Sequence, residues 1–513
     1  MSVRTVNKKT KIFIWIIVSI SVIGIAAQLL FTQKVKSALA EQIPENIQLE
    51  YRDLSTNVFL GNIALKNVEL NTSDGNTQVL ADLMAIKGIG YLSLLSGKTA
   101  ELGEVYLEKP QILLKQQMGD TLRKKALPPE SASKLAIKKV KLDQGSLIIR
   151  NIETDSLVLE AKTIDLNLSQ LELDPKPESQ QPPFALDSYE IIAEDLYFDV
   201  SPFEYMRWEK FQLNKEEGNI LNLIFRTKYS REELTKRTSV EHDHFDVTVD
   251  QITLSQPDIL GATGPKLHAP SMEVHRPIIT VYRNLLMPPN PKIKPLPNQI
   301  LREMPLDLKI DSLTMSDGQV NFYKKTMADV APQQMSLTSV YSKVKNIHSR
   351  GEGMVEIVAK NQIMGEGQFT LEYTFDPQSL DNSFMAKGSL LNFDTEKVVP
   401  FIRSTLNAEI DGTINQMYFT VSGNEYASQG EMKMKYDQFK FVALKKDHLT
   451  VNKFKSGVAN LLTKKGDTKA DEDGFRHGQF KVERDRTRSF VHNVFRNMRA
   501  GMFRTMVGSG KER

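Results

Sequence analysis

The chain has 513 residues, 66 basic against 63 acidic, and no cysteine. Its length leaves room for one large fold or several domains, and the near balance of charge points to no polyanionic partner. Without cysteine, disulfides, thiolate metal sites and a cysteine nucleophile are excluded, whereas the compartment stays open.

The first element is Ile12 to Phe31, IFIWIIVSISVIGIAAQLLF, twenty positions without a charge. At about 1.5 Å per residue it matches a hydrocarbon core of roughly 30 Å, so a transmembrane helix is predicted over 12–31. Arg4, Lys8, Lys9 and Lys11 precede it, and Lys34 and Lys36 are followed by Glu41 and Glu45. That bias keeps residues 1–11 in the cytoplasm as a short tail and puts the rest of the chain across one membrane. A cleaved signal has an apolar region of about 7 to 15 residues ending at a small-x-small site. Here Ala26 and Ala27 run on into further apolar residues, so an uncleaved, single-pass anchor is expected.

From 47 to 445 the texture is alternation, as in LVLEAKTIDLNLSQLEL at 157–173 and MVEIVAKNQIMGEGQFTLEYTFD at 354–376. A two-residue period marks half-buried strands, about twenty of them by count. Helices are expected only at 229–238, around Gln299 to Glu303 and from Glu396 to Leu406, too few for the crossovers of a parallel sheet. An antiparallel sheet with one apolar face is therefore predicted. DPKPESQQPP at 174–183 and MPPNPKIKPLP at 287–297 are read as links, because proline cannot donate to a ladder.

One rhythm recurs within this region. LAIKKVKLDQGSLII at 135 and LKIDSLTMSDGQVNF at 308 share their apolar register, with Gly145 and Gly318 aligned. AELGEVYLEKPQILL at 100 and VTVDQITLSQPDI at 247 repeat it with Pro110 and Pro257 in the middle. Each unit reads as strand, turn and strand, at a spacing too uneven for a fixed-period array. The phase break inside each unit suggests kinks or bulges that add curvature. A sandwich, a closed barrel and a lipid-filled gutter all remain open for hiding the apolar face.

Enzyme chemistry finds little purchase. In HDHFD, His242, His244 and Asp246 fall in phase on one strand, but no fourth ligand or open water position is identifiable. The glycine pairs at 88, 351, 365 and 508 lack the spacing of dinucleotide or phosphate loops. No catalytic residue, metal or cofactor is expected.

The tail, 446–513, differs in composition. VNKFKSGVANLLTKKG is read as a short helix, followed by the polar link DTKADEDG. Residues 481–513 hold nine basic and three acidic residues, leaving the remainder of the chain with a net charge of −3. Phe490, Val494 and Met498 follow helical spacing with Arg488, Arg496 and Arg499 to the sides, the pattern of an amphipathic helix. Two roles fit it: lying at a membrane interface, where anionic lipid adds roughly 1 kcal/mol per basic residue, or capping the end of the sheet. Nucleic-acid binding is not expected of an exported tail without a recognised motif.

The anchor followed by IQLEYRDLSTNVFLGNIALKNVEL and LSLLSGKTAELGEVYLEKPQILL resembles the opening of AsmA-like proteins, a clan of bridge-like lipid-transfer proteins. Gly61, Leu94, Leu95, Gly97, Lys98, Leu107 and Pro110 carry the match, which is clearest over 12–115 and rests on texture from 135 to 445. The resemblance implies a mainly β protein, with a long, curved, largely antiparallel sheet that forms an apolar groove in the periplasm. It also implies phospholipid as the partner, carried between the inner and outer membranes in support of outer-membrane biogenesis. An outer-membrane protein is a possible further partner. Ile137, Leu142, Leu147, Val249, Ile310 and Val320 are then expected to line the groove. An anchored scaffold or assembly factor for outer-membrane proteins is the alternative function.

Overall fold

In the computed structural model, residues 8–41, 43–91, 99–117, 134–174, 184–261, 264–406, 408–443 and 470–507 are described. Strands hold 60% of the chain and helices 14%. Two compact units divide it, one of residues 1–199 with 210–215, the other of residues 200–209 with 216–513.

The first unit begins with helix α1 (Lys8–Glu41). Strands β1 (Ile47–Glu50), β2 (Asp53–Asn57), β3 (Asn62–Thr72), β4 (Thr77–Lys87), β5 (Thr99–Glu108), β6 (Gln111–Gln116), β7 (Lys134–Asn151), β8 (Leu157–Leu173), β9 (Phe184–Ala185) and β10 (Ser188–Asp199) follow. Among the described residues no helix is long and apolar enough to cross a membrane. The side chains of 8–20, which carry the first part of the apolar run, lie outside the described residues, as do the link at 175–183 and the helix expected near 451–466.

Strand β11 (Glu204–Asn214) is divided between the units. The second unit continues through β12 (Glu217–Thr227), helix α2 (Arg231–Arg237), β13 (Asp243–Ser255), β14 (Lys266–His275), β15 (Ile278–Asn284), helix α3 (Pro297–Arg302), β16 (Asp307–Lys325) and β17 (Gln333–His348). Then come β18 (Val355–Ile363), β19 (Gly367–Phe375), β20 (Phe384–Asp394), helix α4 (Val399–Leu406), β21 (Ala408–Gly423), β22 (Ala427–Ala443), β23 (Arg476–Glu483) and helix α5 (Phe490–Val507). The three short helices thus fall where the sequence places them. The start of α2 is set by a capping box: the Glu233 amide donates to Ser230 Oγ at 3.2 Å, and the Ser230 amide donates to the Glu233 carboxylate at 3.0 Å. Strand β23 lies inside the tail expected to be helical and pairs with β22. Its alternation is only eight residues long and follows a polar link, so it does not stand out in the sequence.

Two expectations about the strands need correction. The sheet is mixed: β5 and β6 both run parallel to β7, and β14 and β15 both run parallel to β16, while pairings such as β3 with β4, β7 with β8 and β16 with β17 are antiparallel. The strand-turn-strand reading fails for the copies at 135 and 308, whereas residues 100–114 do divide into two strands, β5 and β6, at Lys109 and Pro110. Residues 135–149 and 308–322 lie within the unbroken strands β7 and β16, each carrying a bulge where Gln144 (φ 52°) precedes Gly145 and Asp317 (φ 54°) precedes Gly318. A bulge inserts one residue without reversing the chain, so the glycine that reads as a turn is a phase correction.

The two bulged strands sit in equivalent surroundings, one in each unit. Beside Gly145 the neighbouring strand breaks at Lys109 (φ 45°) and Pro110; beside Gly318 it breaks at Arg276 (φ 46°) and Pro277. Lys109 N donates to Asp143 O at 2.8 Å and Ser146 N to Pro110 O at 2.7 Å; Arg276 N donates to Ser316 O at 3.0 Å and Gln319 N to Pro277 O at 2.8 Å. Lys109 pairs with Asp82 on β4 at 3.6 Å, and Arg276 pairs with Asp250 on β13. The copy that matches residues 100–114 is therefore centred on Pro277. Pro257, which the sequence pattern aligns there, instead follows the end of β13.

Glycine is required where these strands meet the proline. A Cβ on Gly145 would stand 2.5 Å from Leu142 Cδ2, 3.1 Å from Pro110 Cγ and 3.3 Å from the Pro110 carbonyl oxygen, and one on Gly318 would stand 3.1 Å from Val340 Cβ, 3.2 Å from Val340 O and 3.3 Å from Pro277 Cγ. Gly145→Val and Gly318→Val should each destabilise by about 1–3 kcal/mol through overpacking. Gln144→Gly, which places a residue without Cβ at a left-handed position, should stay within about 1 kcal/mol of the parent. Thermal unfolding of the three variants checks the contrast.

Candidate functional site: an apolar sheet face with a cationic end

In the first unit the ladder registers line up aliphatic side chains strand by strand. One row runs Leu54, Leu65, Met84, Leu107, Leu142, Leu166 and Ile191, crossing β2, β3, β4, β5, β7, β8 and β10. On the far side of the bulge line a second row runs Leu49, Leu70, Val79, Ile112, Leu147, Ala161 and Leu196. Cross-strand partners share a face, and the opposite face carries rows such as Tyr106, Lys141, Asn167 and Glu190. Except for Leu65 and Ala161, all fourteen aliphatic residues of the two rows are only half-buried. The packed cluster of fully buried residues in this unit is Leu65, Val68 and Ala81.

The start of this face is covered by the end of α1. Gln28 holds the helix to β2, donating to Thr56 O at 2.6 Å and accepting from Val58 N at 2.7 Å, and Thr32 lies 2.6 Å from Thr56 Oγ1. Between helix and sheet lies a cavity of about 420 Å³ lined by Val35, Leu39, Leu49, Leu65, Leu70 and Met84, among other apolar side chains.

The second unit has an apolar face of its own on its first strands and a filled one on its last. Phe225, Val247, Ile279, Val320, Leu337 and Ile363 form one half-buried row over β12, β13, β15, β16, β17 and β18. Over β18 to β23 there is instead a closed core of nineteen buried residues, including Tyr373, Phe375, Ile414, Met417, Met432 and Met434. Phe490, Met498 and Met502 of α5 pack on that core.

The residues singled out in the sequence divide accordingly. Leu142, Leu147 and Val320 lie in half-buried rows. Ile137 stands between Leu102 and Leu171, Val249 opposite Leu223, and Ile310 between Ala269 and Ile347, and these three are buried. Phe490 and Met498 lie against the protein's own core and Val494 is half-buried, contacts that fit the capping role of the tail. The histidine-rich stretch has protein partners. His242 Nε2 lies 2.7 Å from Glu204 Oε1, His244 Nε2 3.0 Å from Tyr229 O, and Asp246 accepts from Arg226 Nε at 2.7 Å. Burial alone would raise the Glu204 carboxyl, but hydrogen bonds from His242 and Ser201 hold it below its usual range. Among the described residues no three His, Asp or Glu side chains gather as metal ligands.

Sequence reasoning missed the polar end of the apolar face. After the row Phe245, Val281, Phe322 and Met335, the next row reads Asp243, Arg283, Lys324 and Gln333. Lys324 continues the apolar alternation of Val320 and Phe322, so its position was legible only as the end of that pattern. Arg283 is held by Asp243 at 2.5 and 2.6 Å. Above the row, Lys324 Nζ lies 4.8 Å from the Phe401 ring of α4. Arg488, just before α5, donates to Glu241 at 2.5 Å. Lys294 is tied in by its backbone, its amide donating to Arg486 O at 2.8 Å and its carbonyl accepting from Arg484 Nη2 at 2.5 Å. Both carboxylates thus already hold an arginine. Burial, then Arg283 and Arg488, push the Lys324 ammonium down to about 8; burial, then Lys324, Arg488 and Arg496, push the His492 imidazole down to about 4.

No protein-family model matches this chain, and no curated protein matches it.

The excess of cations around Lys324 has a sign that can be measured. Below pH 8 the ammonium is charged in both folded and unfolded chains, and the full cost of burying it is present. Between 8 and its ordinary 10.5 the unfolded chain holds more protons, so stability rises with pH. Lys324→Met should therefore stabilise the second unit by about 2 kcal/mol at pH 7, with the advantage fading towards pH 10.5. Thermal unfolding of parent and variant across that range checks both size and direction.

Proposed function

We propose that this is a protein of the inner membrane that carries phospholipid along the apolar face of its sheet towards the outer membrane, supporting outer-membrane biogenesis. The observation that carries the reading is the pair of half-buried aliphatic rows crossing seven strands of the first unit. A closed core leaves few apolar residues half-exposed, whereas a face that holds acyl chains needs a continuous apolar surface and no particular side chain. The cavity of about 420 Å³ beneath α1 adds an apolar space of the size that small ligands occupy.

The anchor belongs to the same proposal. Val22, Ile23, Ile25, Leu29 and Leu30 of α1 are each exposed by more than half, which suits lipid better than water. Its polar pins at Gln28 and Thr32 set the depth at which the sheet would begin. With the basic residues before it, the anchor crosses once with the N-terminus in the cytoplasm and the bulk of the chain in the periplasm. The basic tail, Arg496 and Arg499 included, would lie against a membrane at its outward side.

A second reading has its own observation. The filled core over β18 to β23 leaves no open face there, which favours an anchored scaffold or assembly factor for outer-membrane proteins. Photo-crosslinking groups at Leu142 and Leu147 of the full chain in cells separate the two. The conduit reading expects lipid adducts at both positions; their absence, with protein adducts in their place, favours the scaffold. Leu147→Asp should abolish lipid adducts at Leu142 with little change in unfolding, since a half-exposed charge hydrates. Met417→Asp buries a charge in the closed core and should destabilise by several kcal/mol. A reporter active only outside the cytoplasm, fused after Arg513, should be active if the orientation is right.

A further inference from the structure

The end of the apolar face in the second unit combines three features that point to one ligand chemistry. Along β16 the side chains on that face read Val320, Phe322 and then Lys324, so an apolar surface runs directly into a cation. Next to Lys324 in register stands Arg283, and Arg488 and His492 come from a segment packed above; Lys294, bonded through its backbone to Arg486 and Arg484, has its ammonium pushed down by burial and then by Arg283. The carboxylates facing this group are Glu241, which accepts from Arg488, and Asp243, which accepts from Arg283; Asp485 lies 4.0 Å from Arg488 Nε. Among the described residues no carboxylate reaches ion-pair distance of Lys324 Nζ, whose nearby ring is Phe401.

These cations are half-buried, and half-buried cations in excess of their carboxylates carry a desolvation cost that a joining anion offsets. The first turn of α5 begins here as well: His492 N donates to Ser489 Oγ at 3.4 Å, and the 18-residue helix presents its positive end beside His492. Arg283 and Arg488 keep donor groups beyond the oxygens they already hold, because a guanidinium has five N–H donors. Lysine and arginine around a helix start match the tetrahedral oxygens of a phosphate group.

We propose that Lys324, Arg283, Lys294, Arg488 and His492 form a binding site for a phosphate group, with the apolar part of the same ligand lying along Phe322 and Val320. The proposal rests on the lipid reading for its apolar half and stands on the cation cluster for its phosphate half. It makes this end of the face selective for an anionic headgroup, where the rows of the first unit are indifferent to it. His492, held mostly neutral, donates or accepts a single hydrogen bond, so net charge on the ligand is met by lysine and arginine.

The test uses the full chain in maltoside micelles, titrated with dihexanoyl phosphatidic acid, dihexanoyl phosphatidylcholine and inorganic phosphate, with affinity read by calorimetry. Phosphatidic acid should bind at least tenfold more tightly than phosphatidylcholine, and Lys324→Met and Lys294→Met should each remove most of that preference while Lys324→Arg keeps it. Binding of inorganic phosphate with the same dependence on Lys324 would support the phosphate site and assign it to free phosphate rather than a headgroup. Equal affinities in parent and Lys324→Met for all three probes would overturn the site. Lipid adducts at Leu147 are scored in the same variants. Their persistence when headgroup preference is lost separates failure at this end from failure of the conduit, which would remove them in the parent as well.

Discussion

The constraint on which each unit depends is keeping its apolar residues on one face along strands as long as 18 residues in the first and 19 in the second. A regular strand alternates with a period of two, and any slip exchanges its faces. Here the slip is taken up by single residues in the left-handed region inside the strands, among them Asn67, Gln144, Asp195, Asn222 and Asp317. Asn67 stands where Asp82 lies on β4, and Asn222 where Asp250 lies on β13. Those two aspartates pair with Lys109 and Arg276 beside the proline breaks. Because neighbouring strands bulge at matching heights, Leu142 and Leu147 stay on the same face although five positions separate them. Local backbone conformation at a few polar residues thereby maintains a long-range apolar surface.

What is done with that surface differs between the two units. In the first, the rows remain half-buried, and the end of α1 covers only their beginning. In the second, α4 and α5 lie over the later strands and Tyr373, Met417 and Met434 are almost fully enclosed. The helices therefore mark where an open face becomes a core. At that boundary the alternation on β16 ends in Lys324, and the burial that the helices impose is also what drives the ammonium down to about 8. Apolar burial and electrostatics at this place have one cause.

The alternation legible in the sequence belongs to strands, since i and i+2 residues share a face whatever the topology. Composition and periodicity by themselves determined a mainly β chain, the places of the three short helices, and the proline link before α3. They also determined that something interrupts the rhythm near Gly145 and Gly318. The nature of that interruption was a tertiary matter. A glycine between apolar pairs fits a turn or a bulge equally well by local propensity, and the choice falls to the bulge because the strands on either side stay paired with β7 and β16 before and after it. Parallel pairing of β5 and β6 with β7 was equally hidden, because strand direction depends on where distant segments meet. The cluster of Arg283, Lys294, Lys324, Arg488 and His492 draws on positions more than two hundred residues apart. No spacing rule reaches that far; only the packing of α5 and the link before α3 onto the sheet brings those charges together.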